Sequence, residues 1–534
     1  MTDSHGKTTD ARGLLSPGKI LGYVTSLVVL RVIVKFAGFG EKIALAYFFD
    51  IDKSLDAFTA AISLPLMFMF SVGAIVNSTL LPIFVRHSGE GNGAKAWSQI
   101  HAWFLVISLF LCSAAAGCYV FADKIAWGLA PGFDVDRHDL CVSMLRILIP
   151  ASVLLGLHPL LLIPLNAQRR FAYAPIGDFV VKVIVIGAIC LFAERVGITA
   201  AVWGTVAGTC LSFMVYTIGI APTWTAHGSA PNYSDKEFKL VMFLMIAPAL
   251  GAIFSRVGEI GENAASSMLA PGSVAALALA RKIINAPLLI VPVASGAVLY
   301  TLFSEMNQRG DHESAARTLA AGIRAMLFIF LPIAVLTCVL SEPIIAFVYQ
   351  RGAFDAESTR LVSRILFWLA PIMCALSVEV LIMRHFFSRL DIWPPILIGI
   401  LCVTLRIVLI FALVKPMGLP GVALAMIVSR YAKVFLLALM VQRRGKVSRA
   451  HLEITEMLKL LPASFIAGGI AFVISQWLQG IVPSSTIGCF ILLSSAGGMG
   501  GLAYIATTYY LKCRECQFIV KKIVEYTPRL PRFV

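Results

Sequence analysis

Apolar runs of about 20 residues recur along the whole chain, separated by short stretches rich in Arg, Lys, Gly and Pro. Each run is long enough to cross roughly 30 Å of hydrocarbon as a helix, the only single-segment structure that satisfies its own backbone in lipid. About 14 such spans are expected, near 20–48, 55–85, 98–123, 139–164, 171–193, 197–220, 238–264, 273–304, 318–346, 358–385, 393–414, 418–441, 455–478 and 484–511. The first is expected to break at Gly38-Phe39-Gly40. Of the 534 residues, 59% are hydrophobic and only 14% charged. The fold class that follows is an all-α polytopic membrane protein.

A net charge of +15 would suit nucleic acid, but the cations fall in alternate loops, as the positive-inside rule describes for membrane proteins. Arg86, Lys95, Arg169, Arg170, Lys236, Lys239, Arg309, Arg384, Arg389, Arg443 and Arg444 belong to one side, read as cytoplasmic. That side also takes both termini. No nucleic-acid partner is expected, and no small-residue cleavage site follows the first apolar run, so that run is expected to remain as a helix. Most of the eleven cysteines lie in apolar spans, where the thiol acts as a small hydrophobe. The pair Cys513 and Cys516 lacks a second Cys/His pair for tetrahedral zinc and is read as reduced thiols.

The chain repeats itself. "SLPLMFMFSVGA" (63–74) resembles "NAPLLIVPVASGA" (285–297), "GFDVDRHDLCVSMLRILIP" (132–150) resembles "GAFDAESTRLVSRILFWLAP" (352–371), and "VGITAAVWGTVAG" (196–208) resembles "MGLPGVALAMIVS" (417–429). Pro65 and Pro287, Pro150 and Pro371, and Gly197 and Gly418 are all 221 or 222 positions apart. Six spans per copy is an even number, so both copies enter the membrane from the same side, as in transporters built from parallel repeats. The expected organisation is a tail (1–17), an N-lobe of helices 1–6 (18–225), a C-lobe of helices 7–12 (226–445), and two further helices with a basic tail (446–534). The two pseudo-symmetric six-helix lobes would surround a central cavity.

Ionisable groups inside spans are costly, so they face a cavity or a partner. The cations are Arg31, Lys35, Arg146, Lys182, Arg256, Arg281, Lys282, Arg324, Arg364 and Arg406; the acids are Glu41, Asp56, Asp178, Glu259, Glu262 and Glu379. Lys182, Arg324, Arg364 and Arg406 are read as snorkelling or locally paired. Asp178 and Lys182, four apart, would neutralise each other, and Arg256, Glu259 and Glu262 share a helix face. Arg281 and Lys282 are different, because the repeat places them just before the proline of the C-lobe's second helix. One is expected to face the cleft and the other a neighbouring helix or the headgroups, since adjacent helical residues point about 100° apart. With Arg31 and Lys35 from the N-lobe and Arg256 from the C-lobe they would line a cleft suited to an anion, a diphosphate above all. Asp56 is read either as a helix-start cap or, with Glu259 and Glu262, as a gating or ion-coupling group.

Two motifs mislead. "GLLSPGKI" (13–20) has phosphate-loop spacing but Ile20 where a magnesium-binding Ser or Thr belongs, and no strand precedes it. "DVD" (134–136) lacks the soluble domain of a glycosyltransferase. Zinc-protease and nucleophile-elbow motifs are missing, so a transporter is expected rather than an enzyme.

"LDAFTAAISLP" (55–65), "LAPGF" (129–133), "LNAQRRFAYAP" (165–175), "LAPGSVAALALARKI" (269–283), "VYQRGAFDAEST" (348–359) and "FFSRLDIWPP" (386–395) together resemble the MurJ/MviN family, lipid II flippases of the multidrug/oligosaccharidyl-lipid/polysaccharide exporter superfamily. The resemblance implies 14 helices in two lobes around a cationic cavity. It implies alternating access that moves an undecaprenyl-diphosphate-linked peptidoglycan precursor to the outer leaflet of the bacterial cytoplasmic membrane. On that likeness Asp56 matches a family aspartate, Arg281 or Lys282 a basic residue before this proline, and Arg31 or Lys35 an arginine before Gly-Phe. Where the family has Arg-Asp, this chain has Gly40, Glu41 and Lys42, so its anion site must be partly rebuilt. The partners implied are a lipid-linked anionic substrate and membrane lipids, with the protein acting as a monomer. No cofactor is expected beyond coupling to the membrane potential or a monovalent cation. The competing readings are an exporter of another lipid-linked oligosaccharide, a cation-coupled multidrug exporter, and a non-transporting scaffold.

Overall fold

In a computed structural model, residues 17–89, 93–226, 236–288, 291–389, 391, 393–445, 454–482 and 485–526 are described. The expected tail up to residue 16, the last eight residues, and the lobe junctions near 226 and 446 lie largely outside them. The N-lobe comprises α1 (Pro17–Phe49), α2 (Lys53–Ile75), a π-helical turn (Val76–Leu80), α3 (Leu81–Gly89), α4 (Gly93–Val120), α5 (Ala122–Leu129), α6 (Val135–Ala167), α7 (Tyr173–Val196) and α8 (Thr199–Ala226). The C-lobe comprises α9 (Lys236–Leu244), α10 (Ile246–Ser267), α11 (Ser273–Leu288), α12 (Val291–Gln308), α13 (His312–Val339), α14 (Ser341–Tyr349), α15 (Ala356–Leu369), α16 (Ile372–Ser388), α17 (Trp393–Met417) and α18 (Leu419–Gly445). Beyond the repeat come α19 (Ile454–Gln479), α20 (Thr486–Tyr510) and α21 (Arg514–Tyr526).

Among the described residues eleven helices are long and apolar enough to span a membrane, twelve if α15 and α16, bent by 48°, count as one. The other two of the fourteen expected spans fall on α1 and on α11–α12. Contrary to expectation, α1 runs unbroken through Gly38-Phe39-Gly40. These glycines admit neighbours instead: a Cβ on Gly38 would lie 3.2 Å from Lys282 Nζ, and one on Gly40 3.5 Å from Ile186. The expected span 273–304 is divided, and Arg281 and Lys282 lie in the middle of α11, with Pro287 near its end.

The repeat is visible in who packs on whom. In the N-lobe α2 packs on α6, α7 on α8, α1 on α7 and α4 on α6; in the C-lobe α11 packs on α15, α17 on α18, α10 on α17 and α13 on α16. Gly197 and Gly418, the repeat-related glycines, both take positive φ (61° and 63°) where α7 and α17 turn into their partners, a conformation that favours glycine. The added pair α19–α20 packs chiefly on α13 and α14. Large apolar side chains such as Leu109, Phe110, Ile218, Phe465 and Ile487 point outward, as a lipid-facing surface requires.

The lobes meet where α1 ends and α2 begins. Tyr47 O accepts from Ala353 N at 2.8 Å, Asp50 from Ser358 Oγ at 2.6 Å, and Ser267 Oγ from Gly132 N at 3.0 Å. Three glycines allow this approach: a Cβ would fall 2.3 Å from Met268 Cα at Gly132, 2.2 Å from Ile51 O at Gly272, and 2.4 Å from Tyr47 O at Gly352. Asp134, in the misleading "DVD", caps α6 and pairs with Lys53 at 2.8 Å. Hydrogen bonds from Lys53 and then Arg137 hold its carboxyl below the usual carboxylate range.

α7 packs closely on α8, where a Cβ on Gly208 would lie 3.0 Å from Val181 Cα. Gly208→Leu should therefore cost about 1–3 kcal/mol of overpacking, read as a lower melting midpoint of the purified protein. An unchanged midpoint would refute this packing.

Candidate functional site

Asp56 is fully buried and is not the cap of its own helix. Asp52 caps α2, accepting from Ser54 N and Leu55 N. Asp56 reaches into the other lobe, where its Oδ2 accepts from Gly272 N at 2.7 Å and its Oδ1 from Ala275 N at 2.8 Å. These are orphan amides of the first turn of α11, where the helix dipole also favours a negative charge. Arg137 Nη1 stands 3.6 Å away. Asp56 thus caps a helix belonging to the opposite repeat.

Glu262, 1% exposed, anchors a second cluster. Its two oxygens meet Arg281 Nη1 at 2.6 Å and Arg406 Nη1 at 2.7 Å. Arg281 also donates to Asn263 at 3.3 Å and lies 3.8 Å from Glu259, which pairs with Arg256 at 2.5 Å. Arg406 therefore does not snorkel. It turns inward against Gly258, where a Cβ would lie 1.6 Å from its Nη2. Glu379 receives Arg430 at 2.7 Å and Lys433 at 2.6 Å. Arg406, Arg430 and Lys433 line one C-lobe cavity of about 250 Å³ with Ser255 and Cys402.

The third cluster lies between the lobes. Lys182 turns away from Asp178 to Glu41, at 2.5 Å, because the glutamate on α1 offers a closer partner than the expected helix neighbour. Lys42 lies 3.6 Å from the same carboxylate. Lys282 extends from the C-lobe to α1, its Nζ 5.4 Å from the centroid of the Phe39 ring, a cation–π approach. It interacts electrostatically with Glu41, Lys182, Lys42 and Lys35. The adjacent cations thus divide: Arg281 is neutralised inside the C-lobe, and Lys282 faces the cleft. Arg31 and Lys35 are exposed, both within electrostatic reach of Asp178. Arg256 bridges the lobes by stacking on Phe70, 3.9 Å from the ring centroid.

Of the residues singled out from sequence, Lys35 and Lys282 come together, Arg256, Glu259, Glu262 and Arg281 form a separate chain, Arg31 sits toward Asp178, and Asp56 stands apart at the lobe junction. Sequence reasoning missed the central part of Glu41 and Lys182, and passed over Arg430 and Lys433. Mid-span position was the available signal, but their partners lie on helices distant in sequence. Among the described residues no group of three His, Cys, Asp or Glu side chains is arranged to hold a metal ion.

The sequence profile described as Lipid II flippase MurJ matches residues 45–490. A "Probable lipid II flippase MurJ" of Rhizobium tropici is 26% identical over 89% of this chain and 90% of its own length. A "Lipid II flippase MurJ" of Burkholderia cenocepacia is 24% identical over 82% of this chain and 86% of its own. Among solved structures, a lipid II flippase MurJ in an inward closed conformation superposes with TM-score 0.77 at 20% identity, covering 91% of this chain and 98% of that one. An inward-facing multidrug resistance MATE family transporter of the MOP superfamily superposes with TM-score 0.68 at 12% identity, over 78% and 98%. Both share the fold.

Two outcomes follow from the clusters. Glu262→Gln leaves buried Arg406 without its carboxylate and Arg281 with only the more distant Glu259 at 3.8 Å, which should cost about 3–5 kcal/mol. Its melting midpoint should fall well below that of Glu259→Gln, whose carboxylate is more exposed; equal midpoints would contradict the geometry. Asp56→Asn replaces one acceptor with a donor facing a backbone N–H, so the single substitutions Ser267→Cys and Ser358→Cys at the buried lobe junction should react faster with a polar maleimide in that background than in an Asp56 background.

Proposed function

The chain belongs to the Lipid II flippase MurJ family, and from that membership we infer that this multi-pass membrane transporter flips lipid II, the undecaprenyl-diphosphate-linked peptidoglycan precursor. The observation that carries the choice of cargo is the charge of the cleft. Lys42 and Lys182 from the N-lobe and Lys282 from the C-lobe interact around Glu41, and Lys35 stands within electrostatic reach of Lys282 and of Asp178. A diphosphate fits because its oxygens accept charge-assisted bonds from several ammonium groups at once. The lipid tail would stay in the bilayer.

In this reading the membrane is the bacterial cytoplasmic membrane and both termini are cytoplasmic. The lobe junction around Asp56 then lies at the outer face, and cargo enters from the inner one. A ligand shifts a conformational equilibrium only by what it binds more strongly in one state. A diphosphate shared by Lys282 and the α1–α7 lysines supplies that difference, because it draws the lobes together at the inner end while the Asp56 junction gives way. The protein acts as a monomer, with the membrane potential or a monovalent cation resetting it. A cation-coupled drug exporter is the weaker reading, since a cleft with four lysines to two carboxylates, Glu41 and Asp178, repels cationic drugs.

The test is complementation of cells depleted of their own flippase, at matched membrane levels. Lys282→Gln should fail and accumulate lipid II in the inner leaflet, Lys282→Arg should retain function, and Arg281→Gln should fail with a lowered melting midpoint. Normal translocation by a Lys35→Gln, Lys282→Gln double variant would overturn the diphosphate assignment. Reporters fused after Arg449 and at Val534 should both read cytoplasmic.

A further inference from the structure

A cavity of about 210 Å³ opens in the N-lobe between α2, α6, α7 and α8, with Phe70, His158, Asn166, Asp178 and Tyr216 in its wall. It is made by a close fit. A Cβ on Gly177 would lie 2.1 Å from Tyr216 Oη, so only glycine beside Asp178 lets the tyrosine ring sit there. His158 is 5% exposed and packs edge-on to Tyr216, with centroids 5.0 Å apart. Its Nε2 is buried with no hydrogen-bond partner. A buried polar atom left unpaired costs about 1–3 kcal/mol, which a ligand's hydroxyl or amide would relieve.

Asp178 is out of place in a site that only attracts anions. With Lys182 committed to Glu41, Asp178 has no ion-pair partner within 4 Å among the described residues. A carboxylate there repels a diphosphate but accepts strongly from hydroxyl and amide donors. The cavity also touches the cation cleft at two points. Asp178 is within electrostatic reach of Lys182, Lys35 and Arg31, and Phe70 carries Arg256 of the other lobe on its face. Its volume equals that of about seven waters, below the roughly 300–1,000 Å³ of pockets for drug-sized ligands. It has room for one ring and not for the whole cargo headgroup.

We propose that the N-lobe cavity is a subsite for the N-acetylated sugar ring joined directly to the diphosphate of the cargo. Asp178 and Asn166 accept from and donate to the ring's hydroxyls and acetamido group, His158 Nε2 completes its hydrogen bonding on the same ligand, and the aromatic wall of Phe70 and Tyr216 receives the apolar C–H face. The subsite rests on the lipid II reading above and extends it: the cleft lysines hold charge, and this cavity identifies what the charge is attached to.

The test compares two lipids binding to the purified full-length protein in nanodiscs: undecaprenyl diphosphate, and undecaprenyl diphosphate carrying an N-acetylmuramyl–N-acetylglucosamine disaccharide without peptide. Wild type should bind the glycosylated lipid at least tenfold more tightly. Asn166→Ala should reduce that preference by fivefold or more while leaving the affinity for undecaprenyl diphosphate within twofold; Asp178→Asn should reduce the preference as much while undecaprenyl diphosphate binds as tightly or more tightly, since a repelling charge is gone; and Lys282→Gln should weaken both lipids equally. If Asp178→Asn and Asn166→Ala change both lipids in parallel, or neither, the subsite is wrong while the diphosphate site stands. A wild type that binds neither lipid overturns the cargo reading and the subsite with it. Equal melting midpoints for the variants and wild type exclude loss of fold as the cause.

Discussion

The carboxylate of Asp56 ties the two halves of the molecule together. It is buried without a lysine or arginine at hydrogen-bonding distance, and its charge is met chiefly by two backbone amides at the start of α11. Such a contact is strong only while the amides and the carboxylate stay aligned, and a shift of the lobes by the length of one bond breaks both interactions together. The junction therefore behaves as a two-state element rather than a graded one, which is what alternating access needs at its closed end.

The charged clusters divide the labour around that junction. Glu262 and Glu379 neutralise arginines and a lysine inside the C-lobe, so that this lobe can carry several buried cations without exposing them to hydrocarbon. The lysines of α1, α7 and α11 outnumber the two carboxylates among them, Glu41 and Asp178. The imbalance, and not the number of cations, marks the cleft as an anion site. Lys282 is the only one of those lysines carried by the C-lobe, and on the proposed reading it would couple cargo charge to lobe position.

Much of this was legible in the sequence. The spans came from hydropathy and the two-fold repeat from a constant offset, because lipid requires each crossing segment to be an apolar helix of known length. The pairing of charges was not legible. Asp178 and Lys182 satisfy the helix-neighbour rule, yet Lys182 bonds to Glu41. Arg406 has the reach to snorkel, yet lies against Gly258. In each case the partner sits on a helix far away in the chain, and one-dimensional spacing carries no information about it. The division between Arg281 and Lys282 was anticipated from the 100° step of a helix, but which residue faced the cleft depended on where Glu262 and α1 lay.

The three glycines at the lobe junction, Gly132, Gly272 and Gly352, bring backbone against neighbouring chain with no space for side chains. A transporter whose two gates open together is a hole, and ions crossing it would discharge the gradients stored across the membrane. A seam of bare backbone has few rotamers to fluctuate, and at these three glycines it leaves no space even for a Cβ. On the proposed reading the junction would act as electrical insulation, letting a protein with charged groups in its interior sit in an energised membrane without short-circuiting it.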